Sequence, residues 1–264
     1  MTVPLLGPGD PPPFETLNES GTSRALVVCD HASCRIPAAL GTLGVSEIER
    51  TEHIGWDLGA GAVARRLSAL LDAPAILAGF SRLVIDCNRP AAAPDRIPPE
   101  SDTVPVPGNT GLEQAAVDAR IAEVFTPYHD AISAALDRIT GAGVLPVLVA
   151  VHSFTPQLVG GDPRPWEIGI CWDKDRRMAD PLIERLREDG LMVGANEPYD
   201  FGVLTDYTVP VHAECRGLPS LLIEIRNSEI RTAEAVETWA VRLAGHIRAL
   251  LELPESQRLK RVAG

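Results

Sequence analysis

The chain has no apolar run approaching the roughly 18 residues that a membrane-spanning helix needs, so no membrane role is expected. It has no excess of positive charge either. Asp and Glu number 36 against 24 Lys and Arg, a formal charge of -12, which argues against a broad basic surface for nucleic acid. A small anionic substrate remains compatible with that balance, because a pocket needs only one or two local cations. The five cysteines include no CxxC pair, so neither a disulfide framework nor a structural zinc knot is expected. The N-terminal stretch has no basic residue before Arg24 and no apolar segment like that of a secretory signal. A reducing cytoplasm is the expected setting. Also missing are GxGxxG, a P-loop, HExxH and GxSxG, which leaves nucleotide binding and serine hydrolysis without their usual signatures. Histidine is scarce, with only His31, His53, His129, His152, His212 and His246 in 264 residues.

What is present is an ordinary globular make-up, 45% hydrophobic, with strand-like and helix-like segments in alternation. Residues 1–20 are rich in Pro and Gly and read as an irregular arm. Residues 21–264 contain no linker and no internal repeat, and read as one α/β domain. Arg24 to Cys29, Ala75 to Leu77, Leu83 to Ile85, Val147 to Val151, Glu167 to Cys171 and Ser220 to Ile225 are short apolar runs and read as strands. Helices are expected from Ser46 through a capping box, from near Asp57, over 114–139 with a disturbance at Pro127, over 175–189 and over 232–250. Residues 90–111 hold six prolines and read as a loop, long enough to suggest a function, and its role as a lid is left open. Continuous apolar strands between helices indicate a three-layer α/β fold. Its central sheet is mostly parallel or mixed, with helices on both faces.

In such folds ligands sit beyond the carboxyl ends of the strands. Polar signals stand at four expected strand ends: Asp30-His31, Asp86 to Arg89, His152-Ser153, and Glu224 to Asn227. His31 and His152 are natural imidazole ligands for a divalent metal with an open coordination position. Asp57 is the preferred third ligand, with His53 or another residue as the alternative. Glu224 interrupts an apolar strand, and a buried carboxylate must be paired, bind metal or have a raised pKa. It is the candidate general base. Arg82, Arg89 and Arg226 are the nearest cations, Asn88 could orient a carbonyl, and Ser153 adjoins His152. His129, expected on a helix, reads from the residues alone as a surface or supporting residue. His212 is undecided, and His246 reads as solvated.

Several stretches resemble the N-formylglutamate amidohydrolase family. They are Cys29-Asp30-His31-Ala32-Ser33, His53 to Asp57, Ser81 to Pro90, Pro127-Tyr128-His129, His152-Ser153-Phe154, Asn196 to Tyr199, and Gly217-Leu218-Pro219 leading to Asn227. The resemblance spans roughly 24 to 245. It implies a fold similar to zinc exopeptidases and hydrolysis of N-formyl-L-glutamate to formate and glutamate, as in histidine breakdown. It also implies a zinc ion held by His31, a carboxylate in the 53–57 region and His152. Glu224 would be the catalytic carboxylate, and Arg82, Asn88 and Arg89 would handle the substrate's carboxylates. His129 or Arg89 would stabilise the oxyanion. Better studied members read Pro-His-Ser-Gly and Asp-Thr-Asp where this chain reads Asp30-His31-Ala32-Ser33 and Gly55-Trp56-Asp57. The alternatives are a related zinc-dependent N-acyl-amino-acid deacylase, a carboxypeptidase-like hydrolase, or a non-catalytic acyl-amino-acid binder. The expected partner is a small N-acyl amino acid, with no nucleic acid and no membrane. Metal identity and oligomeric state, a homo-oligomer included, are left open.

Overall fold

A computed structural model describes residues 4–199 and 206–260. Its strands are β1 (Phe14–Leu17), β2 (Ala25–Cys29), β3 (Ala75–Ala78), β4 (Glu100–Ser101), β5 (Val104–Pro105), β6 (Val147–Phe154), β7 (Ile168–Cys171), β8 (Val193–Ala195) and β9 (Ser220–Arg226). Its helices are α1 (Glu47–Arg50), α2 (Ala60–Leu71), α3 (Gln114–Arg120), α4 (Thr126–Gly141), α5 (Ala179–Glu188), α6 (Thr208–His212) and α7 (Ala233–Leu251). Seven strands form one sheet in the order β1-β3-β2-β6-β9-β7-β8, and β4 pairs with β5 in a small ribbon. β3, β2, β6 and β9 run parallel. β1 opposes β3 and β7 opposes β9, so the sheet is mixed. The strand order reverses direction between β2 and β6, the crevice where α/β sheets bind ligands.

Alternation along the strands sorts the core into two layers. Ala25, Val27, Cys29, Val149, Val151, Leu221 and Ile223 pack against α2, α5 and α7 through Val63, Leu67, Leu182, Leu243 and Ile247. Leu26, Val28, Leu148, Ala150 and Leu222 face the other way, onto Tyr128, Ile132 and Leu136 of α4 and Val209 of α6. Both faces of the central strands are therefore buried, which is why they read as unbroken apolar runs. Ser46 and Glu49 close the expected capping box of α1, and Thr232 caps α7 by accepting from the Ala235 N–H. Among the described residues, no helix is long and apolar enough to cross a membrane.

Four local expectations change. Phe14–Leu17, inside the segment read as an irregular arm, adds an edge strand against β3. Leu83 to Ile85 is buried but is not a strand. Its carbonyls are met by side chains instead of a neighbouring strand: Asn109 Nδ2 donates to Leu83 O at 2.8 Å and Arg120 Nη1 to Val84 O at 2.9 Å. The 114–139 helix is interrupted by a π-helical turn at Ile121–Phe125, immediately before Pro127. That proline has no N–H for the α-helical ladder, and the wider turn absorbs the defect. The 90–111 loop contains the β4–β5 ribbon.

Candidate metal centre and substrate cleft

β6 runs through Phe154, three residues beyond the expected strand end, so His152 is a strand residue on the same face as Leu148 and Ala150. Its register partner on β9 is Glu224, and Glu224 is in turn paired with Gly169 on β7. Asp30 follows β2 on that same face by the two-residue alternation. A side chain on residue 169 would collide with Glu197 O at 1.9 Å. Glycine there lets the segment ending in Tyr199 lie across β7 and close one side of the cleft.

Ligand atoms of His31, Asp57 and His152 lie within 4.8 Å of one another, all three residues buried. Nδ1 of His31 is 3.3 Å and Nδ1 of His152 3.0 Å from Asp57 Oδ2. The other ring nitrogens face carboxylates: His31 Nε2 donates to Asp86 Oδ1 at 2.7 Å, and His152 Nε2 stands 3.0 Å from Asp30 Oδ2. An imidazole whose Nε2–H is given to a carboxylate presents its Nδ1 lone pair, here toward the centre of the triad. Asp57 does not cap α2, whose N-cap is Gly59. Its N–H donates to His31 O at 3.0 Å, and its Oδ2 accepts from the Ser153 N–H at 3.2 Å. His53 turns away to Asp102, 2.8 Å from its Nε2. Asp57 is thus the third member of the cluster.

The charge balance tests whether a metal fits. Asp30, Asp57 and Asp86 are buried carboxylates, and among the described residues Arg82 is the permanent cation that contacts two of them, Asp57 at 3.4 Å and Asp86 at 2.7 Å. Burial opposes their ionisation, but the imidazoles outweigh it. His152 and Thr208 bring Asp30 down to about 2, and Arg82 with His31 holds Asp86 well below the usual range. Asp57 is likewise lowered by His31 and His152. The imidazoles respond in kind: burial disfavours the charged form of His152, yet Asp30 and Asp57 raise its pKa well above the ordinary value, and Asp86 and Asp57 raise that of His31 against burial and Arg82. Three buried negative charges and one arginine leave two positive charges to be supplied. Two imidazolium ions can supply them, and so can one divalent cation between neutral imidazoles. The donor set fits such a cation.

The cavity beside the triad is small, about 70 Å³, and its wall includes Arg82, Asn88, Arg89, Ser153, Tyr199 and Glu224. It opens beside a second compartment of about 310 Å³ that shares Asp57, Arg82, Ser153 and Tyr199 and extends to His53, Glu100, Asp102 and Arg164. Glu224 is buried and its Oε2 has no hydrogen-bond partner among the described residues. Burial pushes its carboxyl up to about 8, with His152 pulling the other way.

A family model described as N-formylglutamate amidohydrolase matches residues 23–231. A solved structure of a gene product from Agrobacterium tumefaciens is 36% identical and superposes with a TM-score of 0.89, covering 94% of this chain and 98% of that one. The chain belongs to the N-formylglutamate amidohydrolase family. A solved N-formylglutamate amidohydrolase from Ralstonia eutropha is 21% identical, with a TM-score of 0.62 over 90% of this chain and 98% of that one, and shares the fold. No curated protein matches the chain.

Two residues expected at the site of this family member lie elsewhere. Arg226 does not line the cleft. Its guanidinium pairs with Glu229 at 2.6 Å and donates to Pro165 O at 3.1 Å, because it is the last residue of β9 and points to the 155–167 loop. His129 does not reach the cleft either. Its Nε2–H donates to Cys87 O at 2.8 Å, so its Nδ1 accepts from His212 Nε2 at 2.9 Å, and Ser133 Oγ meets His212 Nδ1 at 3.3 Å. Burial lowers both rings to about 4. His129 therefore braces the Asp86–Arg89 turn from behind. Arg89 lines the cleft but already pairs with Asp95 and Asp206, each at 2.8 Å. Asn88 Oδ1 accepts from the N–H groups of Tyr207 and Thr208, both at 3.0 Å.

The sequence reading missed the orienting pairs. Asp30 and Asp86 were visible only as polar residues near strand ends. Tyr128 and Thr208, which donate to Asp30 Oδ1 at 2.8 and 2.6 Å, fix that carboxylate from sites 98 and 178 residues away.

Proposed function

We propose that the protein is a metal-dependent amidohydrolase acting on N-acyl amino acids, with N-formyl-L-glutamate as the leading substrate and formate and L-glutamate as products. The observation that carries this reading is the His31–Asp57–His152 cluster, short of two positive charges and backed by Asp30 and Asp86, beside the unpartnered Glu224. Zinc is the expected ion. When bound, such a cation acidifies water and polarises an amide carbonyl. Family membership and the metal-ligand cluster support enzymatic hydrolysis over simple binding.

In this reading Asp30 and Asp86 accept from the Nε2–H of each imidazole, which fixes the tautomer and turns each Nδ1 toward the ion. Glu224 takes the proton of the attacking water and returns it to the departing nitrogen, which its raised pKa suits. Arg82, at the junction of the two compartments, stabilises charge on the acyl oxygen, and Ser153, Asn88 and Arg89 line the path of the substrate's α-carboxylate. The inner cavity favours formyl over larger acyl groups, since drug-sized ligands occupy pockets of roughly 300–1,000 Å³ and this one is about 70 Å³. The sheet order and strand-end site support the likeness to zinc exopeptidases, and five free cysteines accord with a reducing cytoplasm.

The test is formate release from N-formyl-L-glutamate by metal-loaded and by chelator-stripped protein, with N-acetyl- and N-succinyl-glutamate as comparison substrates. Activity that survives complete removal of metal overturns the mechanism. A preference for the larger acyl groups overturns the substrate.

A further inference from the structure

Four arginines stand near the site, and their charges are unequally compensated. Arg82 is bonded to Asp57 and Asp86, Arg89 to Asp95 and Asp206, and Arg226 to Glu229. Arg164 lines the outer compartment together with Arg82 and pairs with no carboxylate among the described residues. Its guanidinium is nonetheless held. Nη1 donates to Thr155 O at 3.3 Å, and its carbon sits 5.1 Å from the centre of the Tyr199 ring, the same tyrosine that walls the inner cavity. The loop beneath is tied down by the Arg164 N–H to Pro156 O at 2.8 Å, by Gln157 Nε2 to Gly161 O at 2.8 Å, and by Arg226 to Pro165 O at 3.1 Å. A planar, half-buried guanidinium that is stacked and positioned before any ligand arrives is well suited to grip a carboxylate with two hydrogen bonds.

Distance along the substrate decides which carboxylate it meets. With the formamide in the small inner cavity, the α-carboxylate is attached two bonds from the amide nitrogen and stays at that cavity's rim. The side-chain carboxylate is further along the chain and enters the outer compartment, whose lining includes the carboxylates of Asp95, Glu100 and Asp102. An anion there is repelled by those carboxylates and drawn to Arg164, since Arg82, the other arginine of this compartment, is already paired with Asp57 and Asp86.

We propose that Arg164 is the specificity-determining residue of this site, receiving the distal carboxylate of an acidic N-formyl amino acid in the outer compartment. The proposal rests on the hydrolase reading for its substrate. It makes Arg226 a positioning residue for the loop that carries Arg164.

The test compares wild type, Arg164→Gln and Arg164→Lys, all zinc-loaded, on N-formyl-L-glutamate and on N-formyl-L-glutamine, which has the same shape without the distal charge. Arg164→Gln is expected to lose on the order of 10–100-fold in kcat/KM on the glutamate substrate, chiefly as a rise in KM, and under about threefold on the glutamine substrate. Arg164→Lys is expected to fall between, since lysine restores the charge but not the fork or the stack. Equal losses on both substrates, or no loss on either, overturn the proposal. Calorimetric binding of L-glutamate and L-glutamine to the same three proteins separates it from the hydrolase reading. If no N-formyl amino acid is turned over but Arg164→Gln weakens glutamate binding alone, the hydrolase reading fails and the anchor stands. If glutamate binding is indifferent to Arg164, the anchor fails whatever the turnover.

Discussion

The protein buries two histidine pairs with nearly equal ring separations, 5.2 Å for His31 and His152 and 5.1 Å for His129 and His212. Their environments drive them in opposite directions. The first pair is set edge to face among Asp30, Asp57 and Asp86, and both rings are pushed toward the charged form. The second pair is stacked at 10° and makes its hydrogen bonds to a backbone carbonyl, a serine hydroxyl and each other, and both rings are held near 4. Carboxylate neighbours, rather than burial or ring spacing, separate a pair suited to a cation from a pair suited to bracing a loop.

The most severe way to break this contrast is to remove a ring from each pair. His31→Ala or His152→Ala should abolish stoichiometric metal by elemental analysis and lower formate release by on the order of 10³-fold or more. His129→Gln and His212→Gln should leave the metal in place. Metal loss in the second set would show that the two pairs are not functionally distinct. Glu224→Gln separates chemistry from metal binding within the first region. It should keep the ion and lower kcat by roughly 10²–10³-fold, with KM little changed. Asp30→Asn sharpens the comparison further by removing one orienting carboxylate while sparing every ligand. Metal affinity in a competition titration should weaken by about 10–100-fold. An unchanged affinity would mean that Asp30 has no hold on the His152 tautomer.

Much of the first region was legible in the sequence, and little of the second. His31, His152 and Glu224 sit at or near the ends of apolar runs, where a polar side chain needs a partner, and local pattern is enough to single them out; Asp57 was picked from an expected helix start, with His53 as its rival. The general architecture followed from the same runs. The partners themselves were not legible. Asp30 serves His152 on the adjacent strand rather than its neighbour His31, and Asp86 serves His31 over a separation of 55 residues. Arg226 is two residues beyond Glu224 in sequence, yet it ends β9 turned toward the 155–167 loop, a direction set by where the strand stops. His129 was read as an oxyanion donor because the expected mechanism needs one near the metal. Its actual partner, His212, lies 83 residues away on α6. Leu83 to Ile85 misled because an apolar triplet reads the same whether its backbone is met by strands or by Asn109 and Arg120.

The mildest prediction concerns pH and sets the second pair against the first. An unfolded histidine titrates near 6.5, whereas His129 and His212 titrate near 4 in the folded chain because burial disfavours the imidazolium. The folded state therefore binds fewer protons than the unfolded state between those values. The stability contributed by keeping each ring neutral is complete above about pH 6.5 and is lost progressively as the pH falls toward 4. One such ring accounts for about 1 kcal/mol between pH 6.5 and 5.5. His212→Gln, whose amide can still donate to His129 Nδ1, should remove that share. Relative to wild type, its melting temperature should fall about 2 °C less across the same interval. The carboxylate-ringed pair has the opposite sign, since its raised pKa values make protonation favour the metal-free folded state. Chelator-stripped protein should therefore offset part of the acid destabilisation contributed by His129 and His212, whereas metal-loaded protein should also lose ion as protons compete for Nδ1. Parallel acid-melting curves for the loaded and stripped forms would contradict that assignment, because they would mean that His31 and His152 respond to acid without regard to a cation.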